Sequence, residues 1–594
     1  MRIAIIDYEK CKPESCGKEC EGFCPRVRAG DETVKFAENG KPIIDEGSCI
    51  GCGICTKKCP RGAIKIVNTP EQLNERPLHR FGKNSFALFR LPFPVKGEVV
   101  GLLGRNGLGK TSALKILTGD IKLEQSEEGL IRLFRGTELQ VYLEKMFSQK
   151  MKTVLKPQML FSGGAEIHGK QSFPGCQKVE NFLCKPKGFS CQTVSEVLQK
   201  SDEKGMMKEI AGALELQNFL DRKIENLSGG ELQRLAIASA ALRKADVYYF
   251  DEPSSFLDVR QRINAAKIIR SLAKDSAVMV VEHDLASLDF LADKVHIFYG
   301  EPGCYGIVSK PYGVRVGINA FLDGFIREDN VRIHEPVDFS FTKNPEQAEK
   351  YLEFGELKKK LDGFSLIVAG GEIRKKEIVG IFGANGLGKT TFARMLAGEI
   401  APDSGAAEGI SISYKPQYLS SDFSGTVLEL LEDSVRITDD FKSTVLRPLG
   451  IDRLFENSVK KLSGGETQRL AIALCLGKDA DLYLLDEPSA YLDSMQRMVA
   501  AKIIRRVAEK SAAVVIDHDL LFLNYISDRA MLFTGESGVS GFAKQRALED
   551  GMNEFLKTLD ITFRKEKETG RPRANKPGSQ KDGEQKARGN YFLG

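Results

Sequence analysis

No apolar run in the chain reaches the roughly 18 residues that a bilayer-spanning helix needs, so no membrane segment is expected. The first residues, Met1-Arg2-Ile3-Ala4-Ile5-Ile6-Asp7, turn acidic too soon for a secretory leader. Histidine is scarce, with six among 594 residues. The net charge of +5 is small and names no partner by itself. Its distribution says more: residues 564–588 carry nine Lys/Arg against four Asp/Glu, a surplus equal to that of the whole chain. The remaining composition, 42% hydrophobic and 28% charged, is that of globular protein, and the length allows about four domains.

Eight of the 13 cysteines precede residue 60. Crowded thiols without a leader point to metal ligation in a reducing cytosol, against a disulfide framework. Cys49, Cys52, Cys55 and Cys59-Pro60 fit C-x₂-C-x₂-C-x₃-C-P, the bacterial ferredoxin run for a [4Fe–4S] cluster. Cys11, Cys16, Cys20 and Cys24-Pro25 repeat it with wider spacing. In two-cluster ferredoxins the fourth cysteine of each run ligates the other cluster. The expected quartets are therefore Cys11, Cys16, Cys20 and Cys59 for one cluster, and Cys49, Cys52, Cys55 and Cys24 for the other. Paired zinc hooks are the competing reading, and zinc favours a different spacing. In so small a domain the clusters can act as staples.

Two stretches match G-x-x-x-x-G-K-[ST]: Gly104 to Thr111 and Gly383 to Thr390. Each follows a short apolar run, the strand–loop–helix context of a phosphate-binding loop. Gly104, Asn106, Gly107, Gly109, Lys110, Thr111 and Ser112 form the first cradle, and Gly383, Asn385, Gly386, Gly388, Lys389, Thr390 and Thr391 the second. The lysines reach the outer phosphates, and Thr111 and Thr390 can ligate Mg²⁺.

A common series follows each loop. Gln158 and Gln417 come first, then Ser228-Gly229-Gly230-Glu231 and Ser463-Gly464-Gly465-Glu466. Apolar strands then end in Asp251-Glu252 and Asp486-Glu487, and later strands end before His283 and His518. A buried strand delivers Asp251 or Asp486 to Mg²⁺, the next glutamate polarises water as general base, and the histidine meets the γ-phosphate.

This series resembles the ATP-binding-cassette family over residues from about 80 to 540. The resemblance implies an ATPase with two cassettes packed head to tail within one monomer. Lys110 then shares one ATP with Ser463 and Gly465, and Lys389 shares the other with Ser228 and Gly230. Gln158 and Gln417 serve the ATP and Mg²⁺ sites. Phe81 or Phe86 in the first half, and Phe364 in the second, become adenine-stacking residues, with packing in the core as the alternative.

The halves differ by insertion. Lys110 to Ser228 spans 118 residues, whereas Lys389 to Ser463 spans 74. One insert, near 130–150, reads as two amphipathic helices around Arg135-Gly136, whose basic turn would suit RNA backbone. The other, about 161–191, carries Cys176, Cys184 and Cys191, with His168 as a fourth ligand should a third metal site exist. Cys304 and Cys475 read as uncommitted thiols. No heptad run separates P-loop from signature, which argues against a DNA-repair or chromatin ATPase.

A two-cluster module ahead of twin cassettes closely resembles the ABC subfamily E, the RNase L inhibitor family of ribosome-recycling ATPases. The expected architecture is α/β: two ABC-type P-loop domains in tandem, behind a small α+β ferredoxin-like domain. Its limits are 1–75 for the cluster domain, 76–299 for the first cassette, 300–340 for a glycine-rich hinge, 341–545 for the second cassette and 546–594 for a second hinge with a basic tail. The tail is either a strap over the cassettes, a contact for rRNA, or a solvated end. The resemblance further implies a cytoplasmic protein that splits post-termination or stalled ribosomes. Its partners would be the small subunit and its rRNA, a release factor or Pelota, and initiation factors. A nucleotide-gated redox protein is the alternative.

Overall fold

The computed structural model describes residues 2–69, 76–123, 125–148, 150–158, 160–161, 177–178, 193–337, 349–406, 410–417, 423–566 and 569–593. Cys176, Cys184, Cys191 and His168 lie outside them.

The cluster domain is built on two short antiparallel pairs, Arg2–Ile6 with Ile64–Asn68 and Val34–Phe36 with Pro42–Ile44. Its apolar core is little more than Ala4, Ile6, Val34, Ile44, Ala63 and Ile64, packed around four buried cysteines. So small a core supplies little stability unaided.

The cassettes are built alike. In the first, His79–Arg80, Ala87–Phe89, Tyr305–Val308, Lys294–Glu301, Val99–Gly104, Ala277–Val281, Val247–Asp251 and Thr153–Lys156 lie side by side in that order. In the second, the order is Leu357–Leu361, Phe364–Val368, Ser540–Ala547, Arg529–Glu536, Ile378–Phe382, Ala512–Ile516, Leu482–Asp486 and Ile412–Lys415. The central strands are parallel, and those carrying the P-loop and the Asp-Glu pair are buried along their whole length. Their unbroken apolar composition is what a sheet covered on both faces requires.

The sheets reach further along the chain than composition indicated. Lys294–Glu301 runs through the expected start of the hinge, Tyr305–Val308 is an inner strand, and Tyr312–Gly313 pairs back onto Lys294-Val295. The glycines there serve close packing: a Cβ on Gly306 would run into the Leu108 carbonyl of the P-loop, and one on Gly541 into that of Leu387. Ser540–Ala547 likewise crosses the expected end of the second cassette.

The basic tail is folded. Phe563–Lys565, Pro572–Ala574 and Phe592–Leu593 make a small sheet, and Gln580–Ala587 is a helix. Ile561, Phe563, Ala574 and Phe592 join one apolar cluster that continues through the helical layers of both cassettes. No helix among the described residues is long and apolar enough to cross a membrane.

Candidate functional sites at the cassette interface and the cysteine quartets

Each P-loop opens into a helix, Lys110–Leu117 or Lys389–Leu396, through a glycine in the left-handed region, Gly109 at φ 87° and Gly388 at φ 87°. A side chain at Gly109 would press on the Phe86 ring at 2.9 Å, and one at Gly388 on Phe364 at 3.0 Å. Phe86 and Phe364 are thus matched residues against the two loops. Phe81 stands one ring further out, 5.9 Å from Phe86, and is partly exposed. Lys110 Nζ donates to the carbonyls of Gly104 and Arg105, and Lys389 Nζ to those of Gly383 and Ala384. Ser112 and Thr391 lie in the first turn of these helices.

The acidic pairs end their strands beside these loops. Thr390 Oγ1 donates to Asp486 Oδ2 at 2.7 Å, and Thr111 bonds Asp251 in the same way. The other oxygen of each aspartate, Oδ1, is buried without a hydrogen-bond partner. Such an atom is costly unless a cation faces it. A hydroxyl and a buried carboxylate with a spare oxygen form a donor set that fits a hard divalent ion. Burial raises both aspartates, Asp486 to about 6.

Glu252 and Glu487 take the opposite course. Burial alone would raise them, but the facing His283 or His518, the P-loop lysine and Gln158 or Gln417 hold each at about 2. His283 Nε2 lies 3.3 Å from Glu252 Oε1, and His518 Nε2 3.6 Å from Glu487 Oε1. Gln158 Nε2 donates to Glu252 Oε1 at 2.7 Å. Both glutamates hold a backbone φ near +46°, a strained conformation for a side-chain-bearing residue. Gln233 and Gln468, from the signature helices Gly229–Leu242 and Gly464–Leu476, donate to the strained carbonyls at 2.7 and 2.6 Å. Lys156 and Lys415 bond the aspartate carbonyls from below. The switch turns are fixed by acids: Glu282 accepts from the His283 and Asp284 N–H groups, and Asp517 from those of His518 and Asp519.

Ser228 and Ser463 start the signature helices in capping boxes with Glu231 and Glu466, so Gly229, Gly230, Gly464 and Gly465 occupy the first turns. Gly230 and Gly465 have no room for a side chain beside the Phe256 and Tyr491 carbonyls. The cassettes meet next to these turns. Asp258 caps its own helix through Oδ1 and accepts from Asn385 N, in the other cassette's P-loop, through Oδ2 at 3.0 Å. Asp493 does the same with Asn106 N at 2.9 Å. Ser494 Oγ donates to the His283 carbonyl, and Arg262 to that of His518. Asp258, Asp493, Gln233, Gln468, Lys156 and Lys415 stand at matching places in the two motif series, but spacing alone assigned them no role.

None of the eight early cysteines is joined in a disulfide. Cys11 and Cys20 are raised by burial and then by mutual repulsion with Cys16 and Cys59, Cys20 to about 12. Cys55 is raised by burial to about 11, with further pushes from Cys49, Cys52 and Cys24. The neighbours so identified are the two quartets expected from the ferredoxin pattern. A cavity lined by Cys24, Cys49, Cys52, Cys55, Ile44 and Ile66 lies within the second. Among the described residues, no three His, Cys, Asp or Glu side chains converge on a point where one ion would sit. A cubane takes one thiolate per iron and so needs its quartet spread around a body larger than one ion.

The "ABC transporter" family model matches residues 94–255 and 369–490. The "Possible Fer4-like domain in RNase L inhibitor, RLI" model matches 1–32, and the "4Fe-4S binding domain" model 42–65. The chain is 48% identical to an uncharacterized ABC transporter ATP-binding protein of Methanocaldococcus jannaschii, over 100% of this chain and 97% of that protein. It is 43% identical to translation initiation factor RLI1 of Saccharomyces cerevisiae, over 100% and 98%. Among solved structures, ABCE1 from the ribosome-bound archaeal Pelota and ABCE1 complex superimposes with a TM-score of 0.88 at 48% identity, over 100% and 99% of the chains. Archaeal ribosome recycling factor aABCE1, solved with ribosomal stalk protein aP1, gives 0.79 at 47% identity, over 87% and 99%. The chain therefore binds ATP and iron–sulfur clusters as an ABC-type ATPase, and it belongs to the E family of ABC proteins, the RNase L inhibitor family.

Proposed function

We propose that this chain is an ATP-driven ribosome-recycling factor that works on ribosomes carrying a release factor or Pelota. The observation that carries the reading is the pair of crossed contacts, Asp258 to Asn385 and Asp493 to Asn106, which already join each P-loop to the opposite cassette. Two composite sites follow, one around Lys110 with Ser463 and Gly465, the other around Lys389 with Ser228 and Gly230. In each, Glu252 or Glu487 orients and deprotonates the attacking water, and His283 or His518 holds the γ-phosphate against it. Phe86 and Phe364, which pack against the P-loop glycines Gly109 and Gly388, would stack adenine. Thr111, Asp251 and Gln158, or Thr390, Asp486 and Gln417, would hold Mg²⁺, which when bound neutralises phosphate charge. Cys11, Cys16, Cys20 and Cys59 would hold one [4Fe–4S] cluster, and Cys24, Cys49, Cys52 and Cys55 a second.

The cluster domain is latched to the first cassette. Arg80 forms a two-pronged pair with Glu46 at 2.9 and 2.6 Å, and buried Asn84 bonds Ala4 and Ile44. A change in the first cassette is thereby passed to the iron-bearing arm. ATP bridging two half-sites favours the closed pair, and hydrolysis removes that bridge. The redox alternative is not favoured, since the named relatives act in translation initiation and ribosome recycling. The deciding experiment is gradient sedimentation of 70S or 80S ribosomes with this protein, ATP and a release factor. Subunits should appear only with hydrolysable or bridging nucleotide; intact ribosomes under all conditions would refute the proposal.

A further inference from the structure

The two ATP sites carry the same motif series, yet the tail treats them differently. The switch helix Leu285–Leu291 begins directly after His283 and carries Asp289, which is fully buried. Asp289 accepts from Arg571 at 3.2 Å, itself fully buried, and from Arg573 at 3.0 Å, both on the C-terminal strap. Arg571 also reaches Asn319, and Arg573 approaches Glu566, which pairs with Arg315. One turn on, Lys576 pairs with Asp293, the acid that accepts from Val99 N at the base of the first P-loop strand. The second cassette has the same Asp at 528, bonded to Ile378 N and Arg505. At the place of Asp289, however, six residues past its switch histidine, it carries Asn524. A neutral amide cannot stand in for a buried carboxylate facing two guanidinium groups.

We propose that Asp289, held by Arg571 and Arg573, is a positioning residue for hydrolysis at the first site alone: the strap fixes the helix that carries His283 and so sets that site's turnover apart from its twin's. This rests on the assignment of Glu252 and His283 to one site and of Glu487 and His518 to the other. The strap follows the second cassette in the chain but its arginines pair with the first, so a rearrangement of the second cassette pulls on the helix after His283 through a buried ion pair, whereas the helix after His518, Leu520–Ile526, carries no charged residue for an arginine to hold. A small displacement of a group that holds a reacting phosphate has a large effect on rate.

The test uses the full, cluster-loaded chain in two single-site backgrounds. Glu487→Gln leaves the first site turning over, and Glu252→Gln leaves the second. These parental variants test the site assignment separately, by showing whether each retains part of the wild-type rate. Asp289→Asn, which copies Asn524, should lower kcat about fivefold or more in the Glu487→Gln background with KM for ATP little changed. It should leave the Glu252→Gln background as it was. Should Asp289→Asn fold poorly, Asp289→Asn with Arg571→Gln removes both buried charges together, and Arg573→Gln weakens the clamp from its rim; both should show the same one-sided loss. Equal loss in both backgrounds, or none in either, overturns the proposal.

Discussion

Asp493 Oδ2 accepts a hydrogen bond from Asn106 N at 2.9 Å while its Oδ1 caps the helix Ser494–Ala508, so one carboxylate ties a helix of the second cassette to the phosphate loop of the first. Asp258 repeats this with Asn385. Removing either carboxylate should cost about 1 kcal/mol as a lost cap and loosen the opposite site. Asp493→Ala in the Glu487→Gln background should slow turnover at the Lys110 site, measured as phosphate release, more than Asp258→Ala does there.

Glu252→Gln with Glu487→Gln should trap bound ATP. General-base removal typically costs about 10²–10⁴-fold in rate, and phosphate release under single-turnover conditions measures it. Small-angle scattering should then show a more compact particle with ATP than without. Rapid turnover by the double variant would remove the glutamates from the base role.

Cys59 belongs to the second run in sequence but stands among Cys11, Cys16 and Cys20, where its charge raises both Cys11 and Cys20. Cys59→Ser should therefore disturb the cluster of the first run, and Cys24→Ser that of the second. Iron content and the electron paramagnetic resonance of each reduced cluster distinguish the two. Loss in Cys59→Ser confined to the Cys49, Cys52 and Cys55 cluster would reverse the assignment.

Burial holds His296 at about 4, below its ordinary value, although its ring bonds the Ser309 carbonyl and packs on Phe93. A lowered histidine pKa favours the folded state when neutral. That contribution is complete above about pH 6.5 and is lost as pH falls through about 4. The loss amounts to roughly 3 kcal/mol over the window. In urea titrations of the first cassette's unfolding, His296→Asn should be less stable at neutral pH but show a flatter pH dependence between 6.5 and 4.

Arg132 and Arg135 are exposed on the helical pair Glu127–Leu133 and Glu138–Phe147, which is anchored through buried Leu130, Leu139, Tyr142 and Leu143. Reversing both arginines to Glu should spare nucleotide binding and weaken ribosome co-sedimentation most at low salt, where phosphate contacts count most. Unchanged co-sedimentation would place this turn away from RNA.

The chemistry of the site was legible in the order of residues because each element of it is short-range. A phosphate loop, a capping box or an iron-binding run needs particular side chains at fixed spacing along a few turns of backbone. The doubling of the series let each motif of the second cassette be matched to its counterpart in the first. What spacing did not convey depends on partners brought together from afar. The glycines near residue 300 resembled a hinge, and only the packed sheet shows that Gly306 lies bare because the Leu108 carbonyl occupies the space of a side chain. The basic tail read equally as a strap, an rRNA contact or a solvated end until Arg571 was seen buried against Asp289, 282 residues away. Short-range geometry thus came from the sequence alone, whereas the crossed aspartates, the strained glutamates and the one-sided strap were decided by tertiary structure, because a buried charge takes its meaning from whichever group the fold sets opposite it.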